Sequence, residues 1–239
     1  MPDAAAEPPS PAGRPAGVRD LRGAGRTALR YPLGDLLVVS GLPGSGKSTL
    51  IRRAVAAVDG SGTPVHCVDS QDARDRFERR TPRRLPYALY RPLVRLAHYA
   101  ALRRALRSGA SVVVHDCGER GWVRRWLAHH ARRRGGAVHV LLLAVEPHTA
   151  LAGQAARGRR VSHRAFARHR RAMTRLLETA LAGRVPPGTA STTLLDRPAA
   201  DALRTITFGQ PPAGVRFRPD ARPWRPLRDT PRPPRGPSR

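Results

Sequence analysis

The stretch Gly41-Leu42-Pro43-Gly44-Ser45-Gly46-Lys47-Ser48-Thr49 has the residue types and spacing to hold a phosphate chain. Glycines at this spacing let successive backbone N–H groups curl around an anion, and the lysine and hydroxyl residues that follow supply a cation and a metal-ligating oxygen. Gly41, Pro43, Gly44, Ser45, Gly46, Lys47, Ser48 and Thr49 are therefore the expected phosphate contacts, with the amides of residues 44–48 around a β-phosphate. Ser48 is expected to ligate Mg²⁺ and Thr49 to touch an α-phosphate. Lys47 is the only lysine among 44 basic residues, in a chain with no asparagine and just two isoleucines, Ile51 and Ile206. That pattern fits mutational pressure from a GC-rich genome. A lysine kept under such pressure does something arginine cannot: a compact ammonium reaches between β- and γ-phosphate oxygens, where a planar guanidinium is too bulky.

Carboxylates form the second constellation. Residues 31–208 hold only twelve acids, yet Asp69, Asp116, Glu146 and Asp196 all fall at or just past the ends of apolar runs. In open parallel sheets ligands bind beyond the carboxyl ends of the strands. Val112-Val113-Val114-His115-Asp116 has the form of an apolar strand delivering a metal-holding carboxylate. The same aspartate also suits a helix N-cap. Asp69 or Asp72 is placed to accept the proton of a hydroxyl, and Arg74, one turn on, to hold an acceptor phosphate or the transferred group. The plainer alternative for Asp72 and Arg74 is a surface helix start with i,i+4 pairs.

These residues need a scaffold, and the apolar runs supply one. Five strands are predicted, at Leu36–Ser40, Val65–Asp69, Val112–Asp116, Val138–Val145 and Thr192–Asp196. Helical stretches separate them, which is the signature of a three-layer α/β sandwich with a mainly parallel sheet. One helix opens at Gly46. Another, over about 87–108, repeats Leu89, Leu93, Leu96 and Ala100, with Leu102 and Leu106 off that stripe and Pro92 as a kink or new start. A third runs from about Trp122 to Arg134 with Trp122 and Trp126 toward the core, and a fourth starts at an N-cap, Ser162. Residues 1–30 and 209–239, rich in Pro and Arg without apolar period, read as a disordered leader and tail around one domain at 31–208.

The net charge is +27, of which +2 lies on 1–30 and +6 on 209–239, leaving +19 on the domain. Such a field suits phosphorylated ligands or nucleic acid. No run of about 18 apolar residues is present, which argues against a membrane span, and the N-terminus lacks the apolar core of a secretory signal, so a cytoplasmic location is expected. Cys67 and Cys117 are too few for a disulfide framework and read as small buried residues. The nine histidines do not cluster with acids at metal spacing.

On Gly41–Thr49, Asp72-x-Arg74, Asp116-Cys117-Gly118 and the arginine-rich stretch from Arg157, residues 35–200 resemble the P-loop kinases related to phage polynucleotide kinase. They also resemble bacterial proteins labelled as ATP-binding or AAA-family ATPases. The resemblance implies a P-loop NTPase sheet, ATP with Mg²⁺ held by Ser48 and Asp116, and a lid whose Arg157, Arg159 and Arg160 close over ATP. Gln71 stands where family members often carry a first acid before Asp72, so Asp69 and Asp72 both stay open as the base. Asp-Cys-Gly replaces the family's Asp-x-Thr/Ser-Asn. With no Asn and no second Lys, the guanine-reading element known from GTPases is absent, which favours ATP. The expected activity is transfer of phosphate to a hydroxyl of a small molecule or polynucleotide. The alternatives are an ATPase or ATP-dependent switch associated with nucleic acid, and a degenerate nucleotide-binding module. Helix 87–108, with Tyr87, Tyr90, Arg91, Arg95, His98 and Tyr99, is the expected acceptor wall.

Overall fold

Five apolar runs become neighbouring parallel strands, and a sixth strand joins them from the N-terminal segment. The computed structural model describes residues 15–80, 87–116, 121–156 and 161–209. The strands are β1 (Gly17–Asp20), β2 (Ala28–Tyr31), β3 (Leu36–Gly41), β4 (His66–Val68), β5 (Val112–Asp116), β6 (Val138–Leu143), β7 (Ser191–Leu195) and β8 (Thr205–Phe208). The helices are α1 (Lys47–Ala54), α2 (Ser70–Arg80), α3 (Tyr87–Arg107), α4 (Gly121–Arg133), α5 (Pro147–Ala155), α6 (His163–Leu181) and α7 (Arg197–Ala202). The main sheet runs β1-β7-β6-β3-β5-β4, every pair parallel, and β2 pairs with β8 in a second, two-stranded sheet.

Central strands buried on both faces read as continuous apolar runs rather than alternating ones. β3, β6 and β7 are buried at every residue. Their side chains divide between two cores. Leu36, Val38, Val112, Val138 and Val140 pack under α3, α4 and α6. Leu37, Val39, Val113, Leu141 and Leu143 pack under α1, α7 and the β2–β8 pair. After β3 the chain crosses out to β4, returns through β5 to one side of β3, and then places β6 on the other side. The switch of direction falls at β3, where ligands bind in open parallel sheets.

Several expectations change. The sheet has six strands rather than five, because Gly17–Asp20 pairs with β7 at the edge. β1 and β2 are two short strands within and at the end of the N-terminal segment, joined by the irregular stretch 21–27, while 1–14 and 210–239 lie outside the described residues. β8 was also not anticipated, and its alternating burial reflects a strand covered on one side only. Pro92 sits inside an unbroken α3. The buried stripe of α3 is not the expected one: Tyr90, Val94, Leu102, Ala105 and Leu106 face inward, and Leu89, Leu93 and Leu96 are exposed. Trp122 is 48% exposed, and Trp126 is half-buried against the core. Cys67 is exposed rather than buried. Ser162 caps α6 as expected, its hydroxyl accepting from the Ala165 amide. Among the described residues no helix is long and apolar enough to cross a membrane.

Candidate functional site

β3 runs straight into the glycine loop, and the loop into α1. Gly44 and Gly46 sit at φ of 89° and 96°, a left-handed region that favours glycine. A Cβ on Gly44 would also strike the carbonyl of Ala150 on α5. The loop is packed closely from that side: a Cβ on Gly153 would lie 2.5 Å from the Gly44 oxygen, and Gln154 Nε2 donates to Pro43 O at 3.0 Å. Gln154 Oε1 in turn accepts from the Val161 amide at 3.2 Å. This buried glutamine therefore ties the loop to Val161, beyond α5.

Lys47 is 3% exposed, and its Nζ donates to Gly41 O and Leu42 O at 2.8 Å each. The ammonium is thus held across the loop by the loop's own carbonyls. The α1 N-cap is Gly46, which provides no side-chain cap, so the amides of the first turn keep their donors for an anion. The buried Ser45 hydroxyl has no hydrogen-bond partner among the described residues, and Thr49 is exposed.

The strand ends bring together a set that spacing alone did not reveal. Ser48 Oγ donates to Asp69 Oδ2 at 2.9 Å, and Asp69 Oδ1 lies 2.6 Å from His115 Nδ1. β4 and β5 pair with Val68 opposite Val114, which sets Asp69 at the level of His115. β3 and β5 pair with Ser40 opposite Asp116, which sets that carboxylate beside the start of the loop. Asp116 Oδ2 is buried, has no hydrogen bond among the described residues, and lies 4.0 Å from Arg124 Nη1 of α4. Burial pushes the Arg124 guanidinium down, and Asp116 pulls it back up. His98 of α3 completes this wall. Burial lowers its pKa against the opposing pull of Asp69, and its buried Nδ1 has no hydrogen bond among the described residues.

The other expected site residues separate. Asp72 is exposed in the first turn of α2; desolvation first, then the negative Asp69, hold its carboxyl above the ordinary range. Arg74 pairs with Glu78 at 2.5 Å, the i,i+4 arrangement of a surface helix. Asp196 caps α7 and also accepts from the Gly23 amide, and Glu146 is an exposed N-cap residue of α5 without a side-chain cap. Of the four strand-end acids, Asp69 and Asp116 thus lie beside the glycine loop. Arg157, Arg159, Arg160 and Cys117 lie outside the described residues, as does the side chain of Tyr87. His115 was missed as a site residue. Its only sequence signal was a polar residue just before the strand-end aspartate.

A parallel sheet whose central strand feeds a glycine loop and a helix, with carboxylates on the neighbouring strand ends, defines a P-loop NTPase-like domain. The chain belongs to the family described as AAA domain, whose profile matches residues 36–181. No curated protein matches the sequence. Among solved structures the chain is similar to a tunicamycin resistance protein of Deinococcus radiodurans, at 15% identity and a TM-score of 0.38 over 60% of this chain and 80% of that one. It is similar to a component of the PezAT chromosomal toxin–antitoxin system of Streptococcus pneumoniae, at 16% and 0.43 over 67% of each chain. It is similar also to a candidate kinase of Chloroflexus aurantiacus, at 14% and 0.43 over 70% of this chain and 87% of that one. The family match, not these distant likenesses, places the chain.

Proposed function

We propose that this protein is an ATP- and Mg²⁺-dependent phosphotransferase that moves the γ-phosphoryl group of ATP to a hydroxyl of a small molecule or polynucleotide. The observation that carries the reading is the pairing of Ser48 with Asp69 beside the loop, with Asp72 one turn away. Carboxylates gathered on the acceptor side of a phosphate site serve a hydroxyl that must lose a proton.

In this reading the loop amides and Lys47 bind the phosphates. Lys47 exchanges its two carbonyl partners for phosphate oxygens, a short swing for a flexible stem. Both oxygens of Asp69 are engaged, so Asp69 positions Ser48, and Asp72, with its raised pKa, takes the proton. The acceptor oxygen attacks the γ-phosphorus, the bond to the β,γ-bridging oxygen breaks, and ADP leaves. The residues fit Mg²⁺. They offer hard oxygen donors, Ser48 and Asp116, with the Asp116 Oδ2 buried and without a hydrogen bond among the described residues. Among the described residues no trio of His, Cys, Asp or Glu forms a closed metal cage, which suits an ion that shares its shell with phosphates and water. Bound there, Mg²⁺ would offset negative charge on the phosphates. Arg157 and Arg160 would supply further positive charge from a lid, and Arg74 would hold the acceptor once released from Glu78.

The test is transfer from γ-labelled ATP to a library of hydroxyl compounds and oligonucleotides. A labelled product is expected, with the rate lowered about 10²–10⁴-fold in Asp72→Asn. Inorganic phosphate as the sole product, released faster when nucleic acid is added, would replace this reading with the ATPase alternative. The strongly basic α3–α4–α6 face favours that second reading.

A further inference from the structure

The two faces of the sheet differ in charge. Helices α3, α4 and α6, which cover one core, carry fourteen arginines and a single acid, Glu178. On the other face the shorter α1 and α7 carry Lys47, Arg52, Arg53 and Arg197, and Asp201 lies 3.8 Å from Arg53 and 2.9 Å from Arg197.

The basic face also carries an aromatic row. Along the α3–α4 seam, His98 meets Tyr99 at 5.4 Å between ring centroids, Tyr99 meets Trp122 at 5.6 Å and Trp126 at 6.4 Å, and Trp126 meets His130 at 5.1 Å. The row begins at the wall of Asp69 and Asp116 and ends among the cations that close α3 and α4. Trp122, at 48% exposure, offers solvent a large apolar ring on a helix whose other members are mostly basic or buried. At the far end Ala100, Arg103, Arg104 and Arg107 line an open cleft of about 420 Å³. These three arginines are exposed, and among the described residues no carboxylate pairs with them.

We infer that the α3–α4 seam is a docking track for a single-stranded polynucleotide, with Arg104 and Arg107 taking phosphates and Trp122 stacking a base. Charge complementarity selects a polyanion, since solvent-facing arginines without carboxylate partners exchange condensed counterions for phosphates. The exposed indole then selects a single strand over a duplex, because only unpaired bases present a face for stacking. The inference goes beyond the phosphotransfer reading and needs neither Lys47 nor Asp72: the track stands whether or not the polynucleotide is also the acceptor.

Fluorescence anisotropy of the full chain with a labelled oligothymidylate of about 20 nucleotides tests it, with a duplex of equal length beside it. The single strand is expected to bind more tightly than the duplex, with affinity falling between about 50 and 200 mM salt. Arg104→Gln with Arg107→Gln flattens the logarithmic salt slope by ~1.4. Trp122→Ala, at an exposed site that spares the fold, weakens single-strand binding at least about fivefold and leaves duplex binding alone. Arg30→Gln, on the opposite face, changes neither. No single-strand binding by the wild type overturns the inference. So does wild-type affinity in both α3–α4 variants, which would place binding in the arginine-rich ends. An effect of the arginine pair without one of Trp122→Ala overturns it as well, since a bare polyanion site would then suffice.

Discussion

Two serine–aspartate–histidine sets sit at opposite ends of the same sheet, and they differ in almost everything except residue type. At the N-terminal edge His139 Nε2 lies 2.9 Å from Asp35 Oδ2 and His139 Nδ1 lies 2.8 Å from Ser191 Oγ, with both acid and imidazole wholly buried. Asp35 Oδ1 accepts from the Ala137 amide, and the Tyr31 ring packs on the imidazole with centroids 4.9 Å apart. Burial pushes the Tyr31 phenol up to about 12. At the C-terminal edge His115, Asp69 and Ser48 are linked at similar distances, yet Asp69 and His115 keep 16% and 15% of their side-chain surface. The first set clamps β3, β6 and β7. The second ends at a phosphate loop. Position in the fold, not the residues themselves, separates a polar network sealed in the core from one that borders the glycine loop.

Removing one member of each set should therefore give opposite phenotypes. The largest effect falls on the buried set: Asp35→Ala should cost about 3–5 kcal/mol in chemical denaturation, because it leaves His139 without its carboxylate in a dry site. The turnover of molecules that remain folded should be unchanged. Next in size, Asp69→Asn should lower turnover about 10–100-fold through misplacement of Ser48, with a midpoint of denaturation close to wild type. Equal loss of stability in both variants would erase the distinction.

The smallest effect is one of pH. Asp72 must be ionised to accept a proton, and its carboxyl is held above the ordinary aspartate range by desolvation and by Asp69. The rate should rise with pH through that elevated value, so its acid limb lies above the usual position for an aspartate. Removing the neighbouring negative charge favours ionisation, so the residual rate of Asp69→Asn should show the limb moved to lower pH. A limb that stays in place would take Asp72 out of the mechanism.

The glycine loop and the strand-end aspartates were legible because their meaning is local. A six-residue buried strand, a turn of glycines and a helix start occupy consecutive residues and need no partner to be recognised. β1 and β2 were not legible, because four residues with one to three apolar side chains are too short to establish a period; only pairing with β7 and β8 makes them strands. His115 escaped for a related reason. Its partner Asp69 is 46 residues away, and only the β4–β5 register brings them together. α3 misled because both of its stripes are apolar. Tyr90 and Val94 pack inward with Ala73 of α2, while Leu89, Leu93 and Leu96 face solvent between arginines.

Calorimetric titration of Mg·ATP into wild type and Lys47→Ala, followed by transfer of the γ-label to the best hydroxyl acceptor, tests the central claim most directly. Saturable ATP binding that Lys47→Ala weakens severely is expected, with a phosphorylated acceptor formed by the wild type alone. Undiminished ATP binding in Lys47→Ala, with no labelled acceptor from either protein, would contradict it.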